Sequence, residues 1–183
     1  MSSANRPVNI ADAPAGARNG GAILVAALRR NGADRMFGVP GESALPIFDA
    51  VHDPAAGVRF IMCRHETTAS HMAEADGKIT GRPGICIVSR GPGAMQASLG
   101  LHTAWQDSTP MILIVGQVPS YHRGREAFQE MNYERTFSDM VKWVVEIDAV
   151  DRIPELVSRA FHTAMQAARD RLFSRSQKMC SMR

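Results

Sequence analysis

Residues 60–84 read "FIMCRHETTASHMAEADGKITGRPG", and this stretch decides the fold. Its opening, Phe60-Ile61-Met62-Cys63, is an apolar run with the length of a short buried strand. At Arg64-His65-Glu66 the pattern changes to helical spacing, which holds over residues 65–79 and ends at Gly81. A buried strand that passes straight into a helix is the first half of a βαβ unit.

The same handover recurs on both sides. Downstream, residues 85–89 form a short apolar strand, 94–105 a helix and 111–115 another buried strand. Upstream, residues 22–30 have helical spacing closed by Asn31-Gly32, and 35–39 read as a strand. Residues 43–51 read as a helix with Ser43 at its N-cap and Pro46 in its first turn, and 58–63 as the strand already met. After a polar loop over 123–132, the pattern predicts a strand at 143–147 and a last helix at 153–168. Short strands buried on both faces and separated by helices make a mainly parallel sheet with helices on each side. The expected fold is α/β: three layers, doubly wound, flavodoxin-like in general form. Such sheets bind ligands beyond the carboxyl ends of their strands. Glu66, the Arg90-Gly91-Pro92-Gly93 turn and Gly116-Gln117 each follow a strand directly, so they belong on one rim.

The 183 residues are enough for one domain with a sizeable core. Residues 1–19 read as a disordered lead without the apolar core of a secretory signal, 20–165 as the domain, and 166–183 as a basic tail. The net charge is +3, and the tail alone carries five basic residues against Asp170. The body is therefore close to neutral and has no basic stripe with interleaved aromatics, which argues against nucleic acid as a partner. No apolar run is long enough to cross a bilayer. Cys63, Cys86 and Cys180 lie far apart with no C-x-x-C pair, which suggests neither a disulfide framework nor a zinc site and fits a reducing cytoplasm. The six histidines form no metal-ligand cluster, so no metal site is expected. His65 either orients a pocket beside Glu66 or is a hydrogen-bonded structural residue.

Four segments carry chemical interest: "FGVPGE" at 37–42, "RHE" at 64–66, "SRGPGA" at 89–94, and "DSTP" at 107–110 leading to "GQVP" at 116–119. Singly, each has a plain structural explanation as a turn or a helix start. A glycine-rich turn from strand to helix also suits phosphate, yet neither G-x-G-x-x-G nor G-x-x-x-x-G-K-[ST] is present.

Together and in this order, with "AFQE" at 127–130, they resemble the N-terminal, pyrimidine-binding domain of thiamine-diphosphate enzymes of the acetolactate synthase type. The resemblance extends from about residue 20 to 164. It implies a role for Glu66: the glutamate after the second strand hydrogen-bonds N1′ of the cofactor's aminopyrimidine. That contact favours the imino tautomer, which removes the proton from C2 of the thiazolium. The physics is intelligible, because an apolar cleft disfavours an ionised carboxylate and so suits it to proton exchange. The resemblance also places Pro40, Gly91, Pro92, Gly93 and Gln96 in the cofactor's pyrimidine pocket, and Gln117, Phe128 and Gln129 on the substrate side. Two departures leave the choice of 2-oxo acid open. The family's "SGPGATN" is "RGPGAMQ" here, with Arg90, Met95 and Gln96 as the changes, and "YPGG" is "VPGE".

Relatives of this type bind the diphosphate through Mg²⁺ on a further domain with a Gly-Asp-Gly motif, which this sequence does not contain. The resemblance therefore implies thiamine diphosphate held by its pyrimidine half only. Mg²⁺ enters through an absent domain or a partner, which is either a second copy in a homodimer or a separate diphosphate-domain subunit. Alone, the chain is expected to be inactive; a catalytic half of a split enzyme and a non-catalytic small-ligand module are the alternatives. The tail has its own reading. With one legal choice of codons, residues 166 onward give "AGRPGPVVLALPEDVLDA" in a shifted frame, similar to the family's next segment. The expectation is a frameshifted tail, a truncated product and a sheet lacking its last strand; the gene sequence tests it.

Overall fold

The computed structural model describes residues 19–170, with the side chains of the last helix described through residue 166. Four strands alternate with six helices. Helix α1 spans Gly20–Arg30, strand β1 Arg35–Gly38, α2 Leu45–His52, β2 Arg59–Met62, α3 Glu66–Thr80 and β3 Gly84–Val88. Then follow α4 at Gly91–Asp107, β4 at Met111–Val115, the short α5 at Tyr133–Phe137, and α6 at Ile153–Asp170. All pairings are parallel, in the order β2-β1-β3-β4. The chain reverses its winding between β1 and β3, so the switch point where ligands bind lies between the ends of these two strands.

The strands are short and apolar because both of their faces are covered. Met36, Ile85 and Ile87 point into one core, with Leu24, Val25 and Leu28 of α1 and Ile153, Val157 and Phe161 of α6. Their neighbours Phe37, Cys86 and Val88 point into the other, with Ala69 and Ala73 of α3 and Ala94, Ala97 and Leu101 of α4. This strict alternation is the period of a strand, and it confirms the three-layer, doubly wound α/β architecture.

The helix ends are explained locally. Asn19 caps α1 by accepting from the Ala22 amide at 2.8 Å. His65 caps α3, its Nδ1 accepting from the Thr67 amide at 3.2 Å, and Gly81 closes that helix in the left-handed conformation. The layers approach closely through glycines. A Cβ on Gly84 would lie 2.7 Å from the Ala73 carbonyl carbon, and one on Gly100 2.5 Å from Ser70 Oγ. These contacts bring α3 against β3 and against α4.

Two expectations are corrected. Ser43 does not cap α2: residues Glu42–Ala44 form a 3-10 turn, and Ala44 holds the cap position without a side-chain bond. Ser43 is drawn instead toward Ser89, with the two hydroxyls 3.4 Å apart. Residues 143–147 form no strand. They run past α6, where Lys142 Nζ donates to the Thr163 carbonyl at 3.1 Å and the Trp143 ring lies 4.7 Å below the Arg159 guanidinium. Val144 reaches the second core, while Val145 and Ile147 remain exposed. The pattern is strand-like, but the segment packs on α6 instead of pairing with β4, the outer strand on that side among the described residues. The last helix continues to Asp170, and the rest of the expected tail, like residues 1–18, lies outside the described residues. Among those residues no helix is long and apolar enough to cross a membrane.

Candidate functional site

The rim at the carboxyl ends of the strands gathers most of the expected residues. β2 ends at Met62, and the Cys63 amide donates to the Gly38 carbonyl at 2.8 Å, which keeps the chain beside β1 until α3 begins. Glu66 is the first residue of α3 and is partly buried. The cap fixes the first turn: His65 is hydrogen-bonded as a structural cap of the helix that carries Glu66. The Glu66 carboxylate makes no hydrogen bond or ion pair among the described residues, and so remains a free acceptor at the rim.

Gly93, in the first turn of α4, faces it. A Cβ on Gly93 would come within 3.3 Å of Glu66 Oε1 and 3.6 Å of Ser89 Cβ. Gly91 is equally close to the opposite wall: its amide donates to the Gln129 carbonyl at 3.2 Å. Pro92 fits the first turn of a helix, where an amide has no intrahelical acceptor in any case. Across the switch point, a Cβ on Gly41 would meet Ser89 at 2.6 Å, so only glycine lets the loop after β1 close over β3. Ser43, Ser89 and Gly41 were not among the expected site residues. Their only sequence signal is that they flank the ends of β1 and β3.

The opposite wall is built by residues 117–133 folding back on the end of β4. Gln117 uses both ends of its amide: Nε2 donates to the Met131 carbonyl at 2.9 Å, and Oε1 accepts from the Val118 amide at 2.9 Å. It is a positioning residue, its amide already engaged in holding this wall. Tyr133 also holds the wall, its hydroxyl donating to the Gly116 carbonyl at 2.9 Å. Burial pushes the Tyr133 phenol up from its ordinary pKa, and the positive charges of Arg90 and Arg123 pull it part of the way back. Gln129 adopts φ +64°, left-handed for a non-glycine residue, the kind of strain that clusters at ligand sites. Glu130 accepts from the Gly124 and Ala127 amides, and those backbone bonds hold its carboxyl below the usual range.

The remaining expected residues lie further out. Phe128 is 78% exposed beside Gln129. Gln96 is exposed one turn into α4, and it is its backbone carbonyl, accepting from Thr67 Oγ1 at 2.8 Å, that ties α4 to α3. Pro40 lines an open cleft between α2 and β2, with Phe48, Phe60 and Met62. Thus Glu66, Gly91, Gly93, Gln117 and Gln129 come together, while Pro40, Pro92, Gln96 and Phe128 are peripheral to them.

What the centre offers is an unpaired carboxylate acceptor, an approach cleared by two glycines, and a rigid far wall. That donor set fits a flat heterocycle presenting a ring N–H. Among the described residues no group of three or more His, Cys, Asp or Glu side chains is placed to hold a metal ion.

Comparison with known proteins gives the family. The pattern described as "Thiamine pyrophosphate enzyme, N-terminal TPP binding domain" matches residues 18–136. Acetolactate synthase of Arthrospira platensis is 38% identical over 148 residues, 80% of this chain and 26% of the relative. The acetolactate synthase large subunit of Parasynechococcus marenigrum is 42% identical over 78% of this chain and 24% of its own length. The mitochondrial acetolactate synthase catalytic subunit of Saccharomyces cerevisiae is 35% identical over 79% of this chain and 21% of its own. The chain thus spans about a quarter of the length of the curated relatives it matches.

Proposed function

Because the chain belongs to the thiamine pyrophosphate enzymes, by their N-terminal TPP binding domain, we propose that its rim is the pyrimidine half of a cofactor site serving 2-oxo acid decarboxylation or carboligation. When bound, thiamine diphosphate supplies a stabilised carbanion, and the protein supplies geometry and electrostatics. Glu66 is the proton-exchanging acceptor for the ring nitrogen. Gly93 leaves room for the ring against that carboxylate, Gly91 seats the far wall, and Gln117 keeps that wall in place for a substrate passing Gln129 and Phe128. The observation that carries this reading is the free Glu66 carboxylate, held at the start of α3 and 3.3 Å from the empty Cβ position of Gly93.

These residues hold only half of a site. The diphosphate and its Mg²⁺ belong to another domain or chain, so these residues alone are inactive. Their partner is a second copy or a diphosphate-domain subunit. Met95 and Leu99, 45% and 59% exposed on α4, support a protein contact there. The free, buried thiols of Cys63 and Cys86 support a reducing, cytoplasmic setting. Calorimetric titration of the 183-residue chain with thiamine diphosphate, and with uridine diphosphate as control, tests the assignment. Binding selective for the thiamine compound and weakened roughly tenfold or more by Glu66→Ala is expected. Equal heats for both compounds, or an unchanged affinity in the variant, would refute it. Mixing with a diphosphate-domain chain, cofactor and Mg²⁺ and following pyruvate consumption separates an active half from an inert one.

A further inference from the structure

We propose that Arg90 is a specificity-determining residue that receives the carboxylate of the 2-oxo acid on the substrate side of this rim. The inference rests on the cofactor-site reading for the class of substrate, but its observations are separate from those at Glu66.

Arg90 follows β3 at the switch point, occupies the N-cap position of α4, and stands where the family pattern has a small residue. Its Nε is buried and has no hydrogen-bond partner among the described residues. Nor does Arg90 form an ion pair there, in contrast to Arg123, which is held by Glu130 and Glu146, and Arg35, held by Asp34 and Asp76. A buried donor left unpaired costs about 1–3 kcal/mol, and more when it is charged. A chain that keeps a guanidinium in such a place needs an acceptor for it.

The loop and backbone acceptors around this turn are already engaged, and Glu66, the free acceptor facing Gly93, forms no ion pair with Arg90. Glu130 binds loop amides and Arg123, the Gln129 carbonyl takes the Gly91 amide, and the Gly116 carbonyl takes the Tyr133 hydroxyl. The Met131 carbonyl takes the Gln117 amide. The first turn of α4 carries no acidic residue, and Arg90 makes no cap bond with its side chain. Arg90 therefore carries its charge without an ion-pair partner among the described residues.

Arg90 directly precedes Gly91, whose amide donates to the Gln129 carbonyl at 3.2 Å, so it stands where the turn meets the 129–133 wall, beside the strained Gln129. An anion bound there would lie beside the same turn whose Gly93 faces Glu66. A guanidinium presents parallel N–H groups that match a planar carboxylate in a bidentate fork, and it cannot lose its proton at any accessible pH. The small anion that a decarboxylating or carboligating site must hold is such a carboxylate. Lysine at the same position would keep the charge but lose the buried Nε–H and the fork.

The test observes that N–H group directly. The full 183-residue chain, labelled with ¹⁵N, is titrated with sodium pyruvate at constant ionic strength, without thiamine diphosphate, and the arginine Nε correlations are followed. The Arg90 signal is assigned by its loss in Arg90→Lys, with Arg90→Gln as a second variant. A saturable shift of that signal with pyruvate is expected, together with at least roughly tenfold weaker response to neutral methyl pyruvate and to sulfate. No shift with pyruvate, or an equal shift with sulfate, would overturn the assignment; if neither variant folds, through-bond correlation from the Arg90 backbone amide identifies the signal and the comparison of ligands stands. Because the cofactor is absent from this titration, a failure of thiamine diphosphate binding and a failure of carboxylate recognition give separate results.

Discussion

Replacing Gly84 by alanine tests how closely the fold and the site are coupled. Gly84 begins β3 beneath α3, and an added Cβ would lie 2.7 Å from the Ala73 carbonyl carbon, 3.2 Å from its Cα, and closer still to its oxygen. Cβ atoms do not approach heavy atoms within 3.0 Å, and the obstacle here is backbone, which no rotamer change relieves. The helix must retreat by about 1 Å, the sort of overpacking that costs about 1–3 kcal/mol or more. Gly77, on the same helix, is equally tight against the Thr109 side chain at 3.0 Å, so α3 cannot simply pivot about its far end. With a urea slope of about 1–3 kcal/mol per molar for a domain of this size, the unfolding midpoint followed by circular dichroism should fall by about 1 M. Gly81→Ala is the comparator. Gly81 has φ +66° with nothing within 4 Å, so alanine there costs only the left-handed backbone, about 1 kcal/mol. Gly84→Ala should also weaken thiamine diphosphate binding under folding conditions, since α3 carries Glu66, and a 1 Å displacement at a reacting group can cost about 10²-fold. A midpoint for Gly84→Ala equal to or above that of Gly81→Ala would refute the reasoning.

Three further outcomes follow from individual contacts. Gln117→Ala removes both bonds that hold the 117–133 wall and should cost about 1–2 kcal/mol; amide exchange at residues 129–133 should accelerate, and unchanged exchange there would show that the wall stands without it. Asn19→Ala removes the cap of α1 and should lower stability by about 1 kcal/mol in urea unfolding, with Asn19→Asp close to the parent. The hydrogen bond from Arg35, with added charge from Arg82, holds the Asp34 carboxyl down at about 2, against 3.8 in the free side chain. The folded pKa is depressed, so this contribution is complete above 3.8 and is lost as pH falls through about 2. Asp34 is half exposed, so solvent screening limits the effect to below about 1 kcal/mol. Asp34→Asn should flatten the fall in stability between pH 4 and 2, as read by unfolding midpoints at each pH.

The layered fold was legible because each strand is short, apolar and followed by helical spacing. The alternation of Met36 with Phe37 and of Ile87 with Cys86 then assigned residues to opposite cores. Glu66 and Gly93 were legible for the same reason, as residues directly after strands. What failed depended on contacts distant in sequence. The run at 143–147 carries strand-like residues, but a strand needs a neighbour, and the pattern cannot say whether one is present. Ser43 has the chemistry of a cap, yet the approach of Ser89 draws its hydroxyl elsewhere. The bonds of the Gln117 amide to Met131 and Val118 were likewise not legible, since they depend on the 117–133 segment folding back. Arg90 was visible only as a departure from a pattern. Its orphaned Nε and its nearness to Tyr133 exist only once residues 117–133 have folded back against the end of β3.

This division has a consequence for how such a site changes. Glu66 is placed by the glycine contacts of α3 with β3 and α4, which are rigid and unforgiving: added carbon at Gly77, Gly84 or Gly100 meets backbone. The far wall is placed by side-chain bonds from Gln117 and Tyr133 to backbone carbonyls, which several other residues of similar reach can replace. On the proposed reading, Glu66 is therefore bound to the integrity of the whole sheet, while the proposed substrate side is held by one loop, the end of β4 and the Gly91 amide. Substitutions at Arg90 or within 128–133 can alter which anion is accepted and leave the proton-handling side intact. The sequence departs from its family's pattern at Val39, Glu42, Arg90, Met95 and Gln96, and keeps Glu66 with Gly91 and Gly93 beside it.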